Sequence, residues 1–304
     1  MADRVCLIAT VRSPRNELLE FTRYHLAAGV DKVILFFDDP NDTAVNSITS
    51  LPEVVPIVCD TAYWDARRTA RPEAVEHRQI VNVNFGMQIA RADRCDWVIH
   101  IDGDELLLAQ DTIGAVLAGY SADVVRFDMK EAVAEQDYYA SRFQATLFRV
   151  PLSAAGSARL AALSPADTQD ILFEGEYFRA HTASKVAVRL DSHIKRMGIH
   201  GPERQRMPEV QTSQIVLLHY DCIGIDDWKR KWLRRIDASG TAAGMRPART
   251  KQLDLFKQAY GDESKERDLY SRLHKVSEQQ KQLLLTLGLL QVITLSPEMM
   301  VPGE

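Results

Sequence analysis

Three carboxylates fall within four residues of this sequence, Asp102, Asp104 and Glu105, directly after the apolar run Trp97-Val-Ile-His-Ile101. Carboxylate oxygens at that density suit a hard divalent cation, magnesium or manganese, and such a cation neutralises phosphate groups or stabilises a leaving phosphate oxygen. The plainer alternative is a solvated strand-to-helix turn in which Asp104 is a cap, because Asp-Gly-Asp is a good turn sequence. Against it stands the run before the cluster, so apolar that it reads as a central strand. Like charges at the end of such a strand repel unless something offsets them. A second acidic stretch, Asp38-Asp39-Pro-Asn-Asp42-Thr43, ends another apolar run and is crowded with turn formers. Arg12, Lys185 and Arg189 are cations at strand ends. Among eight histidines, His219 ends the run Ile215-Val-Leu-Leu218, and a neutral imidazole there is a competent manganese ligand. His200, in Gly198-Ile-His-Gly-Pro202, is a second candidate contact, and His100, inside its strand, reads as structural.

Positioning those groups requires a scaffold, and the first hundred residues alternate strand and helix. Strands are expected at Val5–Val11, Lys32–Phe37, Val54–Cys59 and Trp97–Ile101. Helices are expected after Pro14, with Gly29 as a stop, and over Pro72–Arg94 as a crossover. That alternation predicts right-handed βαβ units and a mostly parallel central sheet flanked by helices. Open sheets of this kind bind ligands beyond the carboxyl ends of their strands, where Asp38 and Asp102 fall. Further on, the sequence suggests a short helix at Thr112–Ala118. Strand character follows at Val124–Phe127, Phe143–Val150, Ile171–Phe178, Lys185–Leu190 and Gln214–Tyr220. Ser153–Asp167 reads as a surface loop or short helix, the chain from Asp226 to about Leu290 as helical, and Ser296–Glu304 as a loose tail.

Composition excludes several classes. The formal charge of −5 argues against a nucleic-acid partner. Cys6, Cys59, Cys95 and Cys222 are too scattered for a paired metal site and suit reduced core thiols in a cytoplasmic protein. With no export signal and no membrane-length apolar run, a cytoplasmic location follows as the expectation, with peripheral contact at the inner membrane left open.

The run Trp97-Val-Ile-His-Ile-Asp-Gly-Asp-Glu-Leu is similar to the aspartate-x-aspartate segment of nucleotide-sugar-dependent glycosyltransferases of the GT-A fold. It most resembles the bacterial branch of glycosyltransferase family 2, whose motif reads aspartate, any residue, aspartate, glutamate, then Phe or Leu. Other stretches fit in order: Ala9-Thr-Val-Arg12 with Leu18-Leu-Glu-Phe and Tyr24-His25, Gly29-Val-Asp, and Phe37 to Thr43. Downstream come Lys185-Val-Ala-Val-Arg189, Gly198 to Pro202, Leu218-His-Tyr220 and the basic helix Trp228–Arg235. The resemblance covers residues 4 to 236, and it departs from the family at Ser13-Pro14, where Asn-Glu is usual.

The resemblance implies a GT-A domain over 1–236 and a helical C-terminal extension over 237–304 packed on it. It implies a metal site of Asp102, Asp104 and His219 holding Mn2+ or Mg2+. It also implies donor contacts at Arg12, Asp38, Asp39, Asp102, Lys185 and His200. The activity implied is transfer of a sugar from a nucleotide donor to a polysaccharide, glycolipid or similar acceptor. The departure at Ser13-Pro14 keeps a rival open, a non-catalytic nucleotide- or glycan-binding protein with a degenerate donor site. A metal-dependent nucleotidyltransferase or phosphohydrolase could use the same carboxylates. The catalytic base is unassigned among Glu174, Glu176, Asp170 and Asp191, the two glutamates sharing one face if their segment is a strand. Glu105 is expected to orient the loop or cap a following helix. Lys229, Arg230, Arg234 and Arg235 offer either a solvated helix face or a patch for an anionic glycan, lipid diphosphate or membrane surface, and Glu278–Leu295 a Leu-rich face for the body or a second subunit.

Overall fold

The computed structural model describes residues 2–164, 170–203, 208–237 and 245–296. By packing, the chain falls into two compact units. The first comprises Met1–Asp128, Ala183–Leu217 and Leu295–Glu304; the second comprises Met129–Thr182 and Leu218–Thr294. The 1–236 and 237–304 division expected from the sequence follows the extent of the resemblance, a different criterion from packing.

The first unit opens with β1 (Val5–Val11), α1 (Arg15–Ala27), β2 (Lys32–Phe37), α2 (Val45–Ile48), β3 (Val54–Val58) and α3 (Thr61–Ala66). It continues with α4 (Val75–Ala92), β4 (Trp97–His100), β5 (Glu105–Ala109), α5 (Ile113–Ala118) and the start of β6 (Val124–Val133). After the segment assigned to the second unit it resumes with β8 (Val186–Arg189) and most of β9 (Glu209–His219). β1 lies between β2 and β4, with β3 outside β2, and all three of these pairings are parallel. The expected α/β class, with a mostly parallel central sheet flanked by helices, is what the chain forms. β8 then joins β4 antiparallel, and β6 joins β8 antiparallel.

Alternation fixes the faces of this sheet. Cys6 and Ile8 of β1 and Ile34 and Phe36 of β2 point to one side, where Val83, Met87 and Ala90 of α4 cover them. Gly86 is what lets α4 approach so closely, since a Cβ there would lie 2.7 Å from Ile8 Cδ1. α1 buries Leu18, Phe21, Tyr24 and His25, and ends where Gly29 takes a positive φ of 89°. His25 is wholly buried yet satisfied: one ring nitrogen lies 2.8 Å from the Phe21 carbonyl, and the other accepts from the Leu107 amide at 3.3 Å. Burial keeps it neutral, lowering its pKa to about 3 against the pull of the Phe21 carbonyl.

In the second unit, the Met129–Val133 end of β6 pairs antiparallel with β7 (Leu147–Arg149), which pairs with β10 (Leu290–Val292). Its helices are α6 (Ala154–Ala161), α7 (Ile225–Asp237), α8 (Pro247–Ala259), α9 (Glu263–His274) and α10 (Glu278–Thr286). The expected helical C-terminal region is therefore present, although β10 replaces helix at its end. Trp228 and Trp232 of α7 are fully buried, packed on Phe256 with ring centroids 4.9 and 6.4 Å away. Buried Glu131 accepts from Arg149 and from the amides of Arg179 and Ala180.

Two expected strands are corrected. Ile171–Phe178 contains only an isolated bridge between Phe173 and Glu176, closing a tight turn in which Glu174 and Gly175 have positive φ of 50° and 76°. Phe143–Val150 begins instead as a 3-10 turn at Arg142–Gln144 before β7. The expected tail lies outside the described residues from 297 on. Among the described residues no helix is long and apolar enough to cross a membrane.

Candidate functional site

Parallel strands bring their carboxyl ends to one edge. Asp38 follows β2, and its amide donates to the carbonyl of Val11 at the end of β1 (3.0 Å). Ile101, after β4, donates to Ile8 of β1 (3.2 Å). Arg12, Asp38, Asp39 and Asp102 therefore share that edge. So does the first turn of α4, because a crossover helix starts where the preceding parallel strand stops.

The Asp102–Glu105 loop is a closed turn. Glu105 N–H donates to the Asp102 carbonyl (3.1 Å), and Asp102 N–H donates back to Glu105 Oε2 (2.7 Å). Gly103 allows the turn to lie against the end of β1, since a Cβ there would meet Ser13 Oγ at 3.3 Å and Val11 Cγ1 at 3.4 Å. Of the two roles expected of Glu105, it takes the first, holding the loop through the Asp102 amide, and caps no helix: it opens β5, whose neighbour is β9. Its side chain is inaccessible to solvent, and burial pushes its pKa up to about 8, although Lys185 pulls the other way and Asp102 and Asp104 add to the rise.

Lys185, just before β8, is also fully buried. Its ammonium bonds Asp102 Oδ2 at 2.8 Å and lies 3.7 Å from Glu105 Oε2. Burial works against its charge, yet the Asp102 and Glu105 carboxylates raise its pKa above the ordinary lysine value. Gln79 of α4 donates to the other oxygen, Asp102 Oδ1. Half-buried Asp104 sits at the crest of the turn, and its oxygen donors match the preference of magnesium and manganese.

Asp38 is held differently from expectation. Its carboxylate, expected to accept from a nucleoside, receives Arg78 Nε at 2.6 Å and Nη2 at 2.8 Å, with Arg71 Nη2 at 3.1 Å. Asp38 and Arg78 side chains are 6% and 8% exposed, whereas Arg71 is 44% exposed, so this trio turns a guanidinium, not a carboxylate, toward solvent. Asp39 pairs with Arg12 at 3.5 Å, and both are partly exposed. Arg71, Arg78 and Gln79 were not singled out in the sequence. The available signal was position: a polar pair one turn into a crossover helix faces the same sheet edge as the acidic loops.

The other expected residues have surroundings of their own. Arg189 pairs across from Trp97 at the start of β4, stacks on that ring at 4.2 Å and reaches Asp3 at 3.5 Å, which places it at the opposite edge from Asp102. His100 is buried and neutral, its pKa lowered to about 3 by burial and by the Lys185 charge. His200 sits in a turn closed by Gly198 N–H on the Gly201 carbonyl (2.7 Å), and its own carbonyl accepts from Arg126 at 3.4 Å. His219 belongs to the second unit, where it is buried and stacks on His181 with centroids 4.7 Å apart. Nearby Asp221 is also buried. Burial opposes its ionisation, but Arg249 and Lys231 prevail and hold its pKa well below the usual carboxylate range.

Of the base candidates, Glu174, Glu176 and Asp170 are in the second unit, Glu176 paired with Arg246 at 2.6 Å, and Asp191 is exposed after β8. On α7, Lys229 pairs with Glu266, Arg230 with Asp227 and Lys231 with Asp221, so those basic residues are balanced within their own unit. All four cysteines are buried and unbridged.

No protein-family profile matches the chain. Among curated proteins it is similar to two from Arabidopsis thaliana described as glycosyltransferase-like. One is 19% identical over 259 residues and the other 20% over 257, each match taking in 72% of this chain. The matches cover 54% and 47% of those proteins, so the chain spans about half the length of the curated relatives it matches. Solved structures with partial likeness include HddC from Yersinia pseudotuberculosis, with a TM-score of 0.37, 11% identity, and coverage of 75% of this chain and 97% of that one. Another is S. aureus TarS 1-349 in complex with UDP-GlcNAc, with a TM-score of 0.37, 13% identity, and coverage of 93% and 80%. At the level of sequence, then, this α/β chain is similar to glycosyltransferase-like proteins.

Proposed function

We propose that the chain is a metal-dependent glycosyltransferase of GT-A type, moving a sugar from a nucleotide donor to a polysaccharide, glycolipid or similar acceptor. The observation that carries this reading is the convergence, at the carboxyl edge of four parallel strands, of the closed Asp102–Glu105 turn with the partly exposed guanidiniums of Arg12 and Arg71. A nucleoside diphosphate needs such a pairing of carboxylate-held cation and fixed positive side chains. The similarity to glycosyltransferase-like proteins agrees with it.

In this reading Asp104 leads the metal ligands, with Asp102 beside it. A cation bound there would supply Lewis-acid stabilisation to the departing diphosphate. Arg71, oriented by Asp38, and Arg12, oriented by Asp39, add charge-assisted hydrogen bonds to phosphate oxygens. Because Arg71 is already hydrogen-bonded to Asp38, less ordering of that guanidinium is needed when the donor arrives.

The test is release of nucleoside diphosphate from a panel of nucleotide sugars with Mn2+. Slow release by the parent, abolished in Asp104→Asn, supports transfer. Release of monophosphate or pyrophosphate would favour a nucleotidyltransferase or phosphohydrolase, and binding without release a donor-site relic. If calorimetry finds that Asp104→Asn binds Mn2+ and nucleotide as the parent does, the metal assignment is wrong.

A further inference from the structure

We propose that Lys185 and Gln79 are positioning residues: they fix the Asp102 carboxylate from the interior so that the turn presents Asp104, and Lys185 does not touch the donor's phosphates. This inference rests on the functional reading above and assigns Lys185 a role other than the phosphate contact expected from the sequence.

The geometry is specific. Lys185 Nζ holds Asp102 Oδ2 at 2.8 Å, Gln79 Nε2 holds Oδ1, and Glu105 Oε2 takes the Asp102 amide at 2.7 Å. Both carboxylate oxygens and the backbone of a single residue are thus fixed by three side chains from α4, β5 and the approach to β8. The Lys185 side chain has no exposed surface and is committed to two carboxylates, so reaching a ligand at the solvent side would require breaking a buried ion pair. Asp102 and Asp104, two residues apart, would splay the turn by like-charge repulsion. A buried ammonium bonded to Asp102 offsets that repulsion before any metal is present, so the turn is formed in advance. Gln79 adds direction without charge. It lies next to Arg78, which holds Asp38, so adjacent residues of α4 orient the two acidic loops.

Two measurements on the full chain test this. Without ligand, Lys185→Met should speed amide exchange in peptides spanning 102–105 at least about tenfold while leaving β1 protected. Gln79→Leu should do the same to a lesser degree, and serves if Lys185→Met folds poorly. Unchanged exchange in the turn would overturn the proposal. The second measurement is a double-mutant cycle with Asp102→Asn, read as affinity for UDP, GDP and CDP, each with Mn2+. Lys185→Met should weaken binding about tenfold in the parent and less than about twofold once Asp102→Asn is present. A full loss in both backgrounds means that Lys185 meets the diphosphate directly, and the proposal fails. If the parent binds none of the three nucleotides, the transferase reading falls, and the exchange measurement still decides the role of Lys185.

Discussion

Replacing Arg78 with Met tests whether the Asp38 loop is held by a desolvated ion pair. Arg78 gives two hydrogen bonds to Asp38 at 2.6 and 2.8 Å and two to the carbonyls of Pro72 and Glu73 at 2.9 and 2.6 Å. With Arg78 and Asp38 side chains only 8% and 6% exposed, removing the guanidinium strands a nearly buried carboxylate. Breaking a buried pair from one side costs about 3–5 kcal/mol, and retention of Arg71 on Asp38 puts this case near the lower end, about 3 kcal/mol. At a urea slope of about 3 kcal/mol per molar, suited to a unit of this size, the midpoint falls by about 1 M. Because the chain packs as two units, the transition should be followed by hydrogen exchange in β1 and β2 peptides, which report the first unit alone. Adding Asp38→Asn should restore most of the loss, since the buried charge is gone. A midpoint within about 0.2 M of the parent's for Arg78→Met would refute the reasoning, because it would mean that Asp38 is solvated.

Two further outcomes are expected. His25 has a folded pKa of about 3 against an ordinary 6.5, so the unfolded chain takes up its proton first as pH falls. Its contribution to stability is complete above pH 6.5 and is lost between there and about 3, at about 1.4 kcal/mol per pH unit, and urea midpoints at pH 7 and 5 should converge in part in His25→Gln. Gly114→Ala would put a Cβ 2.2 Å from the Asp3 carbonyl oxygen, forcing the N-terminal segment off α5. A cost of about 2 kcal/mol, seen as a Tm lower by roughly 4–8 °C, is the expected result.

The parallel strands were legible because each is a nearly uninterrupted apolar run bounded by turn formers. Val5–Val11 and Lys32–Phe37 match β1 and β2 residue for residue. Gly29 as a helix stop was equally readable, since its positive φ is one that few other residues adopt. β5 was hidden because it starts only three residues after Asp102, and Leu106 to Leu108 fit a helix as well as a strand. Ile171–Phe178 misled in the opposite way: its hydrophobicity serves burial of Ile171, Tyr177 and Phe178 around a turn, without strand pairing beyond one bridge.

The acidic turn stood out as chemistry, but its supports did not. Lys185 looked like an exposed strand-end cation, because nothing in its neighbours records the 83 residues of chain that fold back to place it against Asp102. Arg78 and Gln79 were masked by the apolar periodicity of the helix that carries them. Asp38 was recognised as important for its charge, whereas its effect in the fold is to aim Arg71.

The Lys185–Asp102 pair also sets an order of events. A turn of four residues is local in sequence, whereas its counter-ion arrives only when β8 has docked in register on β4, a closure across 83 positions of sequence. Long-range closures of this kind are entropically slow. Newly made chain would therefore assemble β1 to β4 first, while the acidic turn stays splayed by its own charge. Under the proposed function, competence to capture a cation would then appear late, once β8 has docked.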